Sequence, residues 1–196
     1  KRSYIRRSVP NGMHLPDVES LQQQLMEAGL ARIAAVVGLT SSCGMRLRES
    51  ILADLPRLER EAREIGKINI QEGAKGGRRG AFAERWIPAS DEVKAAIEYA
   101  MTVSPKSSRN LLALSEQYKN FLRGPIEKAR REFLGISIKG FHELRAAYAC
   151  RRYEQITGHP APVILKRQLL SEKEKGEDEK ARRIISHELG HNRIEI

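Results

Sequence analysis

Apolar residues recur at helical spacing along most of this chain and alternate in one short stretch. A helix is predicted through LQQQLMEAGL, with Asp17 placed to cap it. ARIAAVVGLT follows as a second apolar segment, and Ser41-Ser42 with Gly44 predicts a turn after it. MRLRESILADL then begins a helix that Pro56 is expected to stop. KINIQ alternates, with Ile68 and Ile70 on one face, and predicts a half-buried strand. AFAERWIP is its return strand, ended by Pro88, and the glycine-rich EGAKGGRRG between them makes a hairpin. From Ser90 the pattern is helical again, through DEVKAAIEYAM, NLLALSEQYKNFL and GPIEKARREFLG, the last with Pro125 at its start. FHELRAAYACRRY puts Phe141, Leu144 and Tyr148 on one face. SEKEKGEDEK reads as a solvated helix surface or a loop, and the final helix carries Ala181, Ile184, Ile185 and Leu189 as its buried stripe.

The fold class expected is mostly α with a small β-hairpin or sheet, an α+β protein. Residues 1–16 are basic and broken by Pro10, Asn11-Gly12 and Pro16, so residues 1–30 read as an arm or linker with a first helix. Residues 31–196 read as one main domain. The first residue is Lys1 rather than Met, and the chain is expected to be a piece of something longer.

Charge changes the picture more than size does. Thirty-five Lys and Arg stand against 25 Asp and Glu in 196 residues, a net charge of +10. Such a surplus sets up a positive field that attracts polyanions, duplex nucleic acid first and an anionic membrane surface second. Cys43 and Cys150 are too few and too far apart for a disulfide framework or a C-x-x-C zinc site, so both are expected reduced in a cytoplasmic protein. No stretch has the run of apolar residues that a membrane span needs.

Two chemistries compete for the polar residues. His187-Glu188-Leu189-Gly190-His191 fits H-E-x-x-H, which in zinc peptidases sets two ligands and a general base on one helical face. The extended zinc pattern needs Gly three residues after the second His, where this chain has Ile194. No metal is therefore expected; Glu188 is taken as a solvent-facing carboxylate and His187 as an ordinary helix residue.

The other chemistry is phosphodiester transesterification. It needs cations on the two non-bridging oxygens, an acid for the leaving oxygen and a positioned base. Arginine suits the first task because its planar fork holds phosphate oxygens bidentately and stays charged. Arg46 stands just inside a helix with Glu49 at i+3 to brace it. Lys75 sits on the hairpin tip beside Arg78 and Arg79, and His142 and Arg145 lie at i,i+3 on one helix.

These segments resemble the boxes of the tyrosine recombinases, the phage integrase family. GMRLRES resembles the family's first arginine box, AKGGRRGAFAERWIP its lysine-bearing hairpin, FHELRAAYA its H-x-x-R box and ISHELGH its S-x-x-L-G-H box. The four occur in the family's order over about residues 31–191. The resemblance implies a site-specific recombinase catalytic domain, bacterial and nucleoid-associated, of a prophage or mobile element. It implies a 3′-phosphotyrosyl intermediate on double-stranded DNA, a homotetramer on DNA, and no cofactor. Arg46 and Arg145 would hold the non-bridging oxygens, Lys75 would protonate the leaving 5′ oxygen, His142 would act as base, and His191 would hydrogen-bond the phosphate. Glu49 would support Arg46, while Arg78, Arg79 and Arg85 would contact DNA. Glu188 would then be a variable position inside the last box, and the zinc spacing a coincidence.

Two departures accompany the resemblance. The family's tyrosine lies about nine residues after the L-G-H histidine, past Ile196, and Tyr4, Tyr99, Tyr118, Tyr148 and Tyr153 all precede that box. A recombinase-fold module that binds DNA without cleaving it would be compatible with that. In addition, 46 positions separate Arg145 from His191, about twice the family's usual interval. The extra length is expected in a surface insertion over 153–180.

Overall fold

The computed structural model describes residues 8–73, 84–135, 137–165 and 172–190. Lys75, Arg78, Arg79 and His191 lie outside the described residues. The architecture is mostly helical with one two-stranded antiparallel sheet. The first helices are α1 (Leu15–Glu27), α2 (Ala31–Cys43), α3 (Leu47–Leu52) and α4 (Leu55–Glu64). Strands β1 (Lys67–Asn69) and β2 (Trp86–Pro88) follow, then α5 (Asp91–Val103), α6 (Tyr118–Phe121) and α7 (Glu127–Glu132). The last elements are α8 (Phe141–Thr157), α9 (Pro162–Leu165) and α10 (Glu172–Glu188). Among the described residues no helix is long and apolar enough to cross a membrane.

Helix α2 is the centre of the fold. Ile33 to Leu39 are essentially without exposure, so this stretch of the helix is apolar all round, and the helix packs against α1, α3, α5 and α8. Each fully buried side chain of Leu or Ile size stabilises the fold by about 1.5–3 kcal/mol. Val18, Leu21 and Leu25 of α1 belong to the same core, so the first helix is an integral layer of the domain. A second cluster joins α8 to α10 through Tyr148, Tyr153, Ala161, Ala181, Ile185 and Leu189.

The two predicted strands pair antiparallel, with Ile68 opposite Ile87 and both fully buried. The ladder is only three residues long on each side, and Asn69, on the face expected to be solvated, is buried as well. Several helix limits differ from expectation for local reasons. Pro16 occupies the first turn of α1 and His14 the cap position, so Asp17 lies inside the helix. Ser41 and Ser42 continue α2, and only Gly44, at φ 60, turns the chain. Pro56 starts α4 instead of stopping its predecessor, because a first-turn residue needs no amide hydrogen; Asp54 caps that helix. NLLALSEQ is irregular: Ser104, Ser108 and Asn110 bond nearby backbone groups in place of a helical ladder. Pro125 falls within a π-helical turn, Leu122–Ile126, that bridges α6 and α7, where the widened turn absorbs its missing amide.

The described residues of the 153–180 segment lie mostly at the surface, but two of them anchor it to the core. Its described parts end α8, form α9 and begin α10, and Tyr153 and Ala161 are buried, with Tyr153 Oη donating to Asp178 Oδ1 at 2.9 Å. Ile184 is only partly buried, so the stripe of α10 is Ala181, Ile185 and Leu189.

Gly44 carries a constraint that no other residue type meets. Its φ of 60° is left-handed, and a Cβ there would come within 2.5 Å of the Tyr148 ring. Gly44→Ala is expected to destabilise the protein by about 2–4 kcal/mol, from left-handed strain plus overpacking. Thermal unfolding checks this; an unchanged melting temperature would show that the α2–α8 contact is loose.

Candidate functional site

The turn at Gly44 delivers Arg46 to the position just before α3 in extended backbone, φ −72° and ψ 155°. There the Glu49 carboxylate reaches back along the first turn. Arg46 N donates to Glu49 Oε2 at 2.6 Å, and Arg46 Nη1 donates to Oε1 at 2.6 Å. Glu49 has no exposure at all, a placement that a carboxylate tolerates only when paired.

Two more arginines complete the pairing. Arg145, in the second turn of α8, stands 3.7 Å from Glu49 Oε2, donates through Nη1 to the Gly44 carbonyl and through Nη2 to the Leu189 carbonyl. Arg85, immediately before β2, donates through Nη1 to Glu49 Oε1 at 2.7 Å and through Nε to the Glu188 carbonyl at 2.8 Å. Its main-chain amide is held by Asn69 Oδ1 at 3.0 Å, which ties the base of the hairpin to the site. Arg46 Nη2 reaches the Gly190 carbonyl at 3.2 Å. Three successive carbonyls at the end of α10 thus each receive one guanidinium, where a helix leaves acceptors unpaired and its dipole is negative.

Electrostatics make the cluster unusual. Three guanidinium charges face one carboxylate, so it carries a surplus of two positive charges among the described residues. Burial would raise the Glu49 carboxyl, but the Arg85 charge, the Arg46 amide and the Arg46 charge hold it below its usual value. Arg145 is pushed down to about 9, first by burial and then by the charges of Arg46 and Arg85. Arg85 is lowered by burial, with Glu49 opposing and Arg46 adding to the shift. The nearby Glu188 cannot relieve this surplus, because it accepts from Arg152 Nε and Nη2 and from Tyr148 Oη at 2.9–3.0 Å. An oxyanion arriving beside the arginines would. Arg46 is the member that solvent reaches, its side chain 27% exposed against 4% for Arg85 and 6% for Arg145.

Of the residues singled out in the sequence, the fold gathers Arg46, Glu49 and Arg145, which come from segments a hundred positions apart. His142 lies one turn before Arg145 on α8 and is exposed to solvent. Arg85 is not a surface cation at the hairpin: it is buried in the cluster. Glu188 is likewise not solvent-facing, being 4% exposed. Its engagement by Tyr148 and Arg152 leaves it badly placed as the general base of a zinc site, and among the described residues no group of three or more His, Cys, Asp and Glu could hold a metal. Tyr148, buried and bonded to Glu188, is held as a neutral donor: burial and then the Glu188 charge drive its pKa up.

Sequence reasoning missed the burial of Arg85 and Glu188, though signals existed. Strand alternation puts Arg85 on the face of Ile87, and helical spacing puts Glu188 on the face of Ala181 and Ile185.

Removing the shared carboxylate should be costly. Glu49→Gln is expected to lose about 3–5 kcal/mol at neutral pH, the loss typical of breaking a buried ion pair from one side. Because the Glu49 carboxyl is depressed in the fold, its contribution is complete above the ordinary value of 4.5 and is lost as pH falls below that. Denaturant unfolding at several pH values should show wild-type stability falling below pH 4.5 with a steeper slope than Glu49→Gln. Parallel slopes would contradict the pairing.

The chain matches no protein-family model, no curated protein and no solved structure.

Proposed function

We propose that the chain is the strand-transfer domain of a DNA recombinase of the tyrosine-recombinase kind. The observation that carries this reading is the meeting of Arg46, Arg85 and Arg145 on Glu49, three guanidiniums to one carboxylate among the described residues. A phosphodiester in transition adds negative charge on its non-bridging oxygens, and prearranged guanidiniums are the groups that stabilise it. The four box resemblances and the net charge of +10 point to the same substrate, duplex DNA.

In this reading Arg46, the solvent-reached arginine, meets the scissile phosphate first, and Arg145 holds the second oxygen from below. A tyrosine oxygen forms the new bond to phosphorus while the bond to the 5′ oxygen breaks. His142, exposed one turn from Arg145, takes the tyrosine proton, and Lys75 gives a proton to the departing 5′ oxygen. His191 hydrogen-bonds the phosphate. In the reverse step a 5′-hydroxyl attacks the phosphotyrosyl bond and restores the DNA strand. The reaction needs no external energy source, since the covalent intermediate keeps the phosphodiester bond energy. The engagement of Glu188 with Tyr148 and Arg152 favours this reading over zinc peptidase chemistry.

The reverse step gives a test that needs no tyrosine from the protein. A nicked duplex ending in a 3′-p-nitrophenyl phosphate beside a 5′-hydroxyl, with randomised flanks, presents an aryl ester in place of the phosphotyrosine. The protein is expected to seal a subset of these strands and release p-nitrophenol. Arg46→Ala and Arg145→Ala should each slow sealing by about a hundredfold or more. Duplex binding should weaken steeply with added salt, as phosphate contacts require. Salt-sensitive binding without sealing would leave a DNA-binding module lacking the chemistry; salt-insensitive binding would remove DNA as the partner.

A further inference from the structure

Arg85 was the cation whose burial the chain's charge pattern least suggested, and it is the one whose hydrogen bonding is incomplete. Its Nη1 and Nε are both engaged, yet Nη2 is buried and has no partner among the described residues. Buried donors are almost always paired, so an unspent one marks a place where donors outnumber acceptors. That imbalance coincides with the charge imbalance, three guanidiniums to one carboxylate.

The geometry shows how Arg85 creates it. Glu49 Oε1 is divided between Arg46 Nη1 at 2.6 Å and Arg85 Nη1 at 2.7 Å. Without Arg85, the carboxylate would belong to Arg46 and Arg145 alone and would neutralise half of their charge. With Arg85 drawing on the same oxygen, Glu49 offsets less of the charge of Arg46 and Arg145. Burial keeps Arg85 away from solvent ions that would screen its charge.

We infer that Arg85 is a positioning residue that acts through Glu49 to set the anion affinity of Arg46 and Arg145. The inference rests on the anion-site reading above and adds a residue that contacts Glu49 and the end of α10 in place of the substrate. It also links the hairpin to the site, because the Arg85 main chain bonds Asn69 and Ile70 at the hairpin base.

Charge counting separates this role from simple scaffolding. Relative to the wild type, Arg85→Gln removes one positive charge from the cluster, and the double variant Arg85→Gln/Glu49→Gln restores the wild-type balance. The experiment is a titration with inorganic phosphate at constant ionic strength, followed by proton–nitrogen NMR of arginine Nε–Hε groups, with amide dispersion reporting the fold. Phosphate affinity is expected to fall roughly tenfold in Arg85→Gln, the scale of one screened charge at this range. It should stay within about threefold of wild type in Arg85→Lys, which keeps the charge, and recover to a similar level in the double variant. A merely structural arginine would not be rescued by removing its partner.

If Arg46→Gln abolishes phosphate binding while Arg85→Gln binds like wild type, the role given to Arg85 is wrong and the anion site stands. If wild type and Arg46→Gln respond alike, the anion site itself is wrong. Should Arg85→Gln lose its dispersed spectrum, the double variant decides: binding near the wild-type level upholds the inference, and none overturns it.

Discussion

A single carboxylate, Glu49, holds the site together. It lies at the end of the first turn of α3 with no access to water, and it would be untenable there alone. Arg46 pairs with it from its own helix, Arg85 from the sheet and Arg145 from α8. These contacts join three parts of the chain that local propensity could not bring together. The desolvation of Glu49 is offset only when the three segments are in place, so the ion pairs are formed by the fold as much as they form it.

The end of α10 is the second half of the arrangement. A helix terminus leaves its last carbonyls without internal partners, and here those of Glu188, Leu189 and Gly190 meet the same three arginines. Each guanidinium therefore spans a carbonyl of α10 and the Glu49 region, which fixes its plane. Arginine can do this and lysine cannot, because a planar fork has several donors in fixed directions. Gly190, at φ 60°, makes the close approach possible: a Cβ there would stand 2.8 Å from Arg85 Cδ.

Glu188 shows how the fold separates two functions of charge. It lies next to the arginine cluster along α10, yet its carboxylate is spent on Arg152 and Tyr148. Among the described residues this leaves the cluster with Glu49 as its carboxylate, three guanidiniums to one, the balance on which the proposed phosphate chemistry draws. The Tyr148 ring closes the same corner by packing beneath Gly44, whose carbonyl orients Arg145. Packing, hydrogen bonding and charge balance at this corner are therefore one system.

Periodicity in the sequence determined the helical character, the buried face of Ile68 and Ile70, and the i,i+3 pairing of Arg46 with Glu49, because all of these depend on neighbours within a turn or a strand. Proline positions were harder to read, since Pro56 and Pro125 are tolerated by backbone geometry that residue identity does not reveal. The burial of Arg85 and Glu188 was implied by their spacing from Ile87 and Ile185 but masked by their charge. Whether a charged residue can stay on a buried face depends on partners elsewhere in the chain. Those partners include main-chain carbonyls, at Gly44 and Glu188 to Gly190, which no residue type announces. Only the tertiary structure decided that three arginines would share one carboxylate, because the cost of burying each charge is met by groups from distant segments.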